Sequence, residues 1–193
     1  MANERKVIFV VDDNKGNLIA CKNILQPYYE IYPAQSAEKM FELLEHNIIP
    51  DLILLDVEMP DISGHDAAQK LKSNDDYKNI PIIFLSARND STSEMEGFSL
   101  GALDYIHKPF LSHLLLRRIE MHLSLIAYQK ILSGIKNPIN TFNKMLDEAA
   151  GVDDPGKLPD HIANLNNFAK QLLITINNIL DTSKAWDVSA GGQ

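Results

Sequence analysis

The chain contains 193 residues with a formal net charge of −8 at pH 7, and 45% of its residues are hydrophobic. This length suits a domain with an appendage, and no apolar run is long enough for a membrane span or a signal peptide. The single cysteine, Cys21, excludes an internal disulfide framework and favours a reducing cytoplasm. No basic patch offsets the acidic balance, so we expect a cytoplasmic protein with neither a membrane nor a nucleic-acid partner.

Short apolar runs alternate with helical patterns along the first 124 residues. Buried strands are predicted at residues 6–11, 30–34, 53–56, 80–85 and 103–106. A helix capped by Ser36 lies between the second and third strands, and Gly101 closes a helix at residues 91–100. Strands that alternate with helices over short connections form right-handed βαβ units. The predicted fold class is therefore α/β, with a flavodoxin-like, doubly wound, five-stranded parallel sheet.

Polar residues follow four of these strands. Asp12 and Asp13 come after the first strand, Asp56 ends the third, Ser86 follows the fourth and Lys108 follows the fifth. Because parallel strands present their carboxyl ends at one edge of the sheet, we expect these side chains to converge there. The alternative, in which each residue only caps a loop, would have to hold independently at four places.

The chemistry of this set points to phosphoryl transfer. Three carboxylates in one place repel one another and need a cation, and Mg²⁺ is the natural partner because it also recruits phosphate oxygens. Lys108 adds a positive charge and Ser86 a hydroxyl donor, so the Asp56 carboxylate could attack a phosphoryl group in line. The sequence has no glycine-rich nucleotide loop, so we expect the phosphoryl donor to come from another molecule.

Residues 5–124 resemble the receiver domain of two-component response regulators. The resemblance rests on four segments: Asp12-Asp13, the run D-V-E-M-P-D-I-S-G from Asp56, Ser86-Ala87 and Lys108-Pro109. It implies that Asp56 is the phosphoacceptor and receives phosphate from a phosphohistidine on a cognate histidine kinase or phosphotransfer protein.

The same resemblance implies the ligands of the metal. Asp12, Asp13, Asp56 and the backbone carbonyl of Glu58 would hold Mg²⁺. Glu58 and Arg88 occupy positions at which the family varies its dephosphorylation rate. A charged pair there could obstruct an attacking water, so we hypothesise a phosphoaspartate that persists longer than in the fastest family members.

The resemblance also implies how the phosphoryl group is bound and sensed. Ser86 and Lys108 would contact it, and Ser86 and Tyr105 would form the switch, with the Tyr105 rotamer following the phosphoryl group. The peptide bond before Pro109 would be cis. A half-buried strand tyrosine without a switch role is the alternative for Tyr105.

The segment from residue 126 to 193 differs from the DNA-binding module that ordinarily follows such a domain. It has six Lys, no Arg and seven acidic residues, which leaves a net charge of −1. A DNA-binding surface needs excess positive charge against the phosphates. We therefore expect no nucleic-acid partner for this segment.

Two helices with one apolar stripe each are predicted there instead. The first stripe steps by threes and fours through Leu125, Tyr128, Leu132, Ile135, Ile139, Phe142, Leu146 and Ala149. After a turn at residues 151–160, the second continues through Ile162, Leu165, Ala169, Leu172, Ile176, Ile179 and Ser183. Such a hairpin cannot close a core alone, so a four-helix bundle with a second copy is expected, a homodimer through residues 125–186.

The chain would thus divide into a receiver at residues 1–124 and an all-α helical hairpin at residues 125–193. The first hairpin helix would continue from the last receiver helix. Pro138 lies inside it and should bend it.

The hairpin also resembles the dimerisation and histidine-phosphotransfer (DHp) hairpin of sensor kinases. Residues 132–140, L-S-G-I-K-N-P-I-N, correspond to that family's S-H-E-L-R-T-P-L-N pattern, and residues 177–184, N-N-I-L-D-T-S-K, to the end of its second helix. Ser133 stands at the position of the phosphorylated His, and Gly134 replaces the neighbouring acid. The hairpin would therefore be degenerate, and we expect no ATP-binding domain after it.

Three hypotheses follow for the function. The main one is a response regulator whose hairpin acts through protein–protein contacts, either as a dimerisation module alone or by engaging another kinase or response regulator. The second is a phosphatase for a partner phospho-receiver, in which Asn137, four residues after the histidine position, places the attacking water; the absence of an acid at Gly134 counts against it. The third is a phosphate sink with no output.

Overall fold

The computed structural model describes residues 5–87, 91–151 and 158–190. The chain divides into two compact units, Met1–Leu123 and Ser124–Gln193, next to the boundary predicted after residue 124. Within the described ranges, no helix combines the length and the apolar character that a membrane span requires.

The first unit alternates strands and helices as predicted. Its strands are β1 (Val7–Val11), β2 (Glu30–Ala34), β3 (Leu52–Asp56), β4 (Ile82–Ser86) and β5 (Asp104–His107). Its helices are α1 (Lys15–Leu25), α2 (Ala37–Glu45), α3 (Gly64–Lys72), α4 (Ser91–Ser99) and the first part of α5 (Ser112–Ala150). The second unit contains the rest of α5 and α6 (Leu158–Ala190).

The five strands form one parallel sheet in the order β2-β1-β3-β4-β5. This confirms the predicted doubly wound α/β architecture, which is that of flavodoxin-like proteins. Successive connections run outward in opposite directions from β1 and β3, so the sheet has its topological switch point between these two strands. In such sheets, ligands bind outside the carboxyl ends of the strands at that point.

Both faces of the sheet are covered, which explains the continuous apolar runs of its central strands. Ile8 and Val10 of β1 belong to a core cluster with buried residues of α1 and α5. Phe9 and Val11 belong to a second cluster, on the other face, with buried residues of α2 and α3. All four side chains are fully buried, so β1 is held rigidly where it ends at the functional edge.

Short polar caps turn the chain into a helix soon after each of the first three strands ends. The Asn14 side chain accepts a hydrogen bond from the Gly16 amide at the start of α1, and Ser36 caps α2 as predicted. Ser63 accepts from the Asp66 amide at the start of α3. The loops at the functional edge are therefore short and fixed at their helical ends.

Gly64, the first residue of α3, lies directly against the backbone of β3. A Cβ atom at this position would clash with the Asp56 carbonyl oxygen and would lie 2.9 Å from Val57 Cα. Since backbone atoms cannot yield as a flexible side chain does, Gly64→Ala is expected to lower the free energy of unfolding by about 3 kcal/mol. Urea denaturation followed by circular dichroism measures this change.

Gly151 provides the control for replacing a glycine as such. Its added Cβ would come no closer than 3.7 Å to a neighbouring atom, the Asp147 carbonyl oxygen, so Gly151→Ala should change stability by less than about 1 kcal/mol. Equal stabilities for the two variants would show that the close contact at Gly64 does not constrain the loop after Asp56.

In the second unit, α5 and α6 pack through one half-buried stripe each. On α5 this stripe contains the half-buried residues Ile131, Ile135, Pro138, Phe142, Met145 and Ala149. On α6 they are His161, Leu165, Phe168, Ala169, Leu172, Thr175 and Ile176. The rings of Phe142 and Phe168 stack with centroids 6.2 Å apart, and α5 is continuous through Pro138.

Two details of the hairpin differ from the sequence prediction. α6 begins at Leu158, inside the predicted turn, because Pro159 falls in the first helical turn, where its missing N–H breaks no hydrogen bond. The predicted α5 stripe is also divided. Ile135, Phe142 and Ala149 are half-buried, whereas five other members remain 40–67% exposed on the adjacent face: Leu125, Tyr128, Leu132, Ile139 and Leu146.

Candidate functional site

Two buried carboxylates lie side by side at the switch point of the sheet. Asp12 directly follows β1 and is 0% exposed, and Asp56 is the last residue of β3 and is 4% exposed. Asp13 is exposed at the same edge. One oxygen from each of the three carboxylates lies within 4.8 Å of the others. The residues predicted to converge from the first and third strands therefore do so.

Lys108 connects the two buried carboxylates. Its Nζ atom lies 2.6 Å from Asp12 Oδ2 and 2.8 Å from Asp56 Oδ2. The backbone amide of Lys108 donates a 2.7 Å hydrogen bond to the Ser86 carbonyl oxygen, which fixes the residue beside the end of β4. The site thus brings together chain ends from four strands, and the ammonium group of Lys108 lies between the two buried carboxylates.

Asp12 is held by further donors that the sequence analysis did not identify. Its Oδ1 atom accepts hydrogen bonds from the Asn14 amide at 2.9 Å and from Asn17 Nδ2 at 3.0 Å. Both donors belong to the start of α1. Because Oδ1 is held by α1 and Oδ2 by Lys108, the orientation of the Asp12 carboxylate is fixed from both sides. The signal in the sequence that could have identified these donors is the pair of asparagines, Asn14 and Asn17, that follow Asp12.

The loop after Asp56 turns its backbone toward the carboxylate. The Glu58 amide lies 3.4 Å from Asp56 Oδ1 and donates to it. The loop is tied back at both ends, since Val57 N donates to Leu85 O at 3.0 Å and Gly64 N to Val57 O at 2.9 Å. Arg88, the second residue of the predicted charged pair with Glu58, lies outside the described residues.

Burial and charge act in opposite directions on the two ionisable partners. Burial raises the pKa of Asp56 above its ordinary value, although the hydrogen bond and charge of Lys108 partly offset it. Burial alone would lower the pKa of Lys108, but its hydrogen bonds with Asp12 and Asp56 outweigh that effect and raise the pKa above the ordinary value. Lys108 is therefore a permanent cation at neutral pH.

The donor set of the site fits a hard divalent ion. Asp12, Asp13 and Asp56 offer three carboxylate oxygens in one cluster, and the half-buried ammonium group of Lys108 bridges two of the carboxylates. Ionised oxygen ligands of this kind suit Mg²⁺, which binds through one or more carboxylates and keeps the remaining positions for water and phosphate oxygens. These residues could therefore hold the predicted metal.

The remaining predicted residues of the receiver lie on β4 and β5. Ser86 ends β4 and is fully buried. Tyr105 is 4% exposed, which is more buried than the alternative of a half-buried strand tyrosine assumed, and its ring packs on Phe84 with centroids 5.5 Å apart. The Lys108–Pro109 peptide bond is cis.

Ser133 and Asn137 belong to the second unit. Both lie on α5 one helical turn apart, and both are exposed. The backbone carbonyl oxygen of Asn137 accepts a hydrogen bond from Thr141 Oγ1 at 3.1 Å. Neither residue takes part in the strand-end cluster.

A flavodoxin-like sheet with an acidic, lysine-bridged pocket at its switch point defines a class of phosphoacceptor domains. The chain belongs to the response regulator receiver domain family, whose model matches residues 8–120. Receiver domains of this family act in two-component systems, bind Mg²⁺ at an acidic pocket and interact with histidine kinases or phosphotransfer proteins.

Similar proteins share this domain in different contexts. The chain is 39% identical over 116 residues to a probable cyclic di-GMP phosphodiesterase from Vibrio cholerae. The matched region covers 60% of this chain and 26% of that protein. It is 38% identical over 122 residues to the transcriptional regulatory protein YvrH from Bacillus subtilis, covering 62% of this chain and 50% of that protein.

Among solved structures, a putative response regulator from Chloroflexus aurantiacus is similar with a TM-score of 0.59 and 29% sequence identity. The similarity covers 63% of this chain and 99% of that one. The chain thus spans half or less of the two curated relatives named above, and the regions they share with it correspond in extent to one receiver domain.

Proposed function

We propose that the protein is a two-component response regulator that is phosphorylated on Asp56 and acts through protein–protein contacts of its hairpin. The observation that carries the first part is the geometry of Lys108, whose Nζ atom lies within 2.8 Å of Asp56 and 2.6 Å of Asp12. A cation in this place attracts a phosphoryl group to Asp56 and compensates its charge after transfer.

The residues around Asp56 would have different roles in phosphoryl transfer. An Asp56 carboxylate oxygen forms the new bond to phosphorus while the bond from phosphorus to the donor's histidine nitrogen breaks, and the donor keeps that electron pair. Lys108 and the hydroxyl of Ser86 would bind phosphoryl oxygens. Asp12, Asp13, Asp56 and the Glu58 carbonyl would hold Mg²⁺, which supplies further charge compensation when bound.

Mass spectrometry tests the phosphorylation site. Incubation of the full chain with acetyl phosphate and Mg²⁺ is expected to add the mass of one phosphoryl group, located by peptide sequencing at Asp56. Chelation of the metal with EDTA should prevent the addition, because the clustered carboxylates would repel the incoming phosphate without the divalent ion. Modification at another residue, or equal modification with EDTA present, would contradict the proposal.

The hairpin supports the second part, the proposed homodimer through residues 125–186. Five large apolar side chains of α5 remain exposed after α5 packs on α6: Leu125, Tyr128, Leu132, Ile139 and Leu146. On α6, Ile162 is 49% and Leu173 is 61% exposed. A second copy would cover these residues by completing a four-helix bundle, since the exposed stripe repeats with helical spacing along one face.

The proposed output is a contact with another protein. The DHp-like hairpin carries Ser133 at the histidine position, so it would not pass a phosphoryl group on, and its charge does not favour DNA. A cognate histidine kinase or phosphotransfer protein would load Asp56. Another kinase or response regulator would then be the target of the hairpin. The phosphate sink differs from this proposed function in one respect. Phosphorylation of a sink would change no contact with a partner protein.

Asn137 favours a second candidate function, hydrolysis of the phosphoaspartate of another receiver. Its exposed amide stands one turn from Ser133 on α5, where it could place a water for attack. If so, the full chain should accelerate dephosphorylation of one member of a panel of phosphorylated receiver domains. Asn137→Ala should then lower the rate about 100-fold.

Asn140→Ala is the matched control for this test. Asn140 is an exposed asparagine of the same helix, about 60° around the helix axis from Asn137. The Asn140→Ala variant should retain the full rate of dephosphorylation. Hydrolysis that the protein does not accelerate, or that Asn137→Ala leaves unchanged, would exclude the phosphatase.

A further inference from the structure

Tyr105 is buried between three elements of the first unit. Its side chain is 4% exposed, and its hydroxyl oxygen lies 3.3 Å from His65 Nε2, within hydrogen-bonding distance. His65 is the second residue of α3, whereas Tyr105 lies on β5. The contact therefore joins the start of the helix that follows the Asp56 loop to the strand that precedes Lys108.

Two neighbours of His65 hold its ring beside Tyr105. Its ring meets Phe84 edge-on with centroids 4.9 Å apart, which holds the ring plane. A carboxylate oxygen of Glu96, on α4, lies 3.6 Å from His65 Nδ1. This negative charge favours a proton on Nδ1, and in the tautomer that carries it Nε2 accepts a hydrogen bond from the Tyr105 hydroxyl.

Gly97 provides the space for the Tyr105 ring. A Cβ atom at Gly97 would lie 2.8 Å from Tyr105 Cε2 and 3.0 Å from Phe84 Cδ2. Both distances are too short for non-bonded carbon atoms, so any side chain at residue 97 would displace the tyrosine ring or move α4. The ring position thus depends on a hydrogen bond from α3 and on an unfilled space in α4.

We propose that His65 is a positioning residue which, with the space left by Gly97, holds the Tyr105 ring in its inward rotamer and so couples α3 and α4 to β5. This rests on the proposed function, in which the Tyr105 rotamer follows the phosphoryl group on Asp56. By thermodynamic reciprocity, a phosphoryl mimic changes the rotamer ratio by the factor by which its affinity for Asp56 differs between the two rotamers, so a residue that biases the rotamer also changes that affinity.

The rotamer is measured first, in the full chain labelled with 3-fluorotyrosine. The chain has six Tyr, and the Tyr105 resonance is assigned by its loss in Tyr105→Phe. Broadening by a soluble gadolinium complex then reports how exposed the ring is. His65→Ala should raise the outward-to-inward ratio about fivefold, the effect of one hydrogen bond, and His65→Gln, which keeps a polar partner, should restore part of the protection.

Gly97→Ala is the second variant, and it should expose Tyr105 with His65 intact. His46→Ala is the control, because His46 is an exposed histidine at the end of α2, and it should leave the Tyr105 resonance unchanged. Equal protection of Tyr105 in the wild type, His65→Ala and Gly97→Ala would overturn the proposal. Exposure in His65→Gln as large as in His65→Ala would also overturn it, since the hydrogen bond would then not be the cause.

Titration with beryllofluoride and Mg²⁺ separates this inference from the proposed function. The affinities of the wild type and His65→Ala should differ at least about threefold, and the difference should vanish in a Tyr105→Phe background, which a merely structural effect of His65 would not do. A Tyr105 ring that moves outward without any change in affinity would support the positioning role of His65. That result would instead refute the switch role of Tyr105 in the proposed function.

Discussion

Asp56→Asn is expected to reduce phosphorylation by acetyl phosphate to below about 1% of the wild-type level, since an amide oxygen is a far weaker nucleophile than a carboxylate. The substitution changes the shape of the side chain very little, so the hydrogen bond from the Glu58 amide can persist. It also relieves the cost of burying a charge, and the receiver should remain at least as stable as the wild type. Separation on a phosphate-binding gel measures the phosphorylated fraction.

Asp61→Asn is the matched control for this substitution. Asp61 is an exposed carboxylate of the same loop with a φ of 66°, a left-handed conformation that Asn adopts readily. The Asp61→Asn variant should be phosphorylated to the same extent as the wild type. Persistent phosphorylation of Asp56→Asn, or its loss in both variants, would show that Asp56 is not the acceptor.

Leu132→Glu is expected to convert the proposed dimer into monomers. Leu132 is 67% exposed in one chain and lies in the middle of the apolar stripe that α6 does not cover. In a four-helix bundle it would be buried against the second copy. An unpaired carboxylate there costs several kcal/mol, so the dissociation constant of the dimer should rise by about 100-fold or more. Sedimentation equilibrium measures the constant.

The control carries the same new charge outside the stripe. Asn140 is exposed on α5 on a different face of the helix, and Asn140→Glu should leave the dissociation constant within about threefold of the wild type. A wild-type chain that stays monomeric at high concentration would refute the homodimer. Equal constants for the Leu132→Glu and wild-type chains would place the interface elsewhere.

Much of the strand-end cluster could be predicted from the sequence because parallel strands bring their carboxyl ends to one edge. That geometry alone predicts that Asp12, Asp56 and Lys108 meet, and they do. It does not predict that Lys108 bridges both carboxylates at once, since this depends on how its long side chain is oriented. Nor does it identify Asn17, whose contact with Asp12 depends on the angle at which α1 leaves the sheet.

His65 and Gly97 could not be found in the same way. His65 falls within a helical pattern beside a glycine, and Gly97 is an unfavourable residue for a helix interior. Their relation to Tyr105 exists only once α3 and α4 pack side by side on β4 and β5. Contacts of this kind depend on tertiary packing distances, which a single sequence does not encode in any local pattern.

The hairpin shows a limit of periodicity arguments. Apolar residues spaced by threes and fours predict helices, and α5 and α6 confirm this. The same spacing cannot decide which side of a broad apolar face packs within the chain. Met145 and Pro138 are half-buried, although neither belongs to the predicted stripe, whereas Leu132 and Leu146 are exposed. A stripe wider than one helix contact is expected where a helix has two partners.

The central claim is that phosphorylation of Asp56 changes the contacts that the hairpin makes. Helix α5 contributes residues to both the receiver and the hairpin. Sedimentation equilibrium of the full chain with Mg²⁺, with and without beryllofluoride, tests it most directly. We predict that the mimic changes the dimer dissociation constant of the wild type by about fivefold or more and leaves that of Asp56→Asn unchanged. The same constant in the wild type with and without the mimic would contradict the claim.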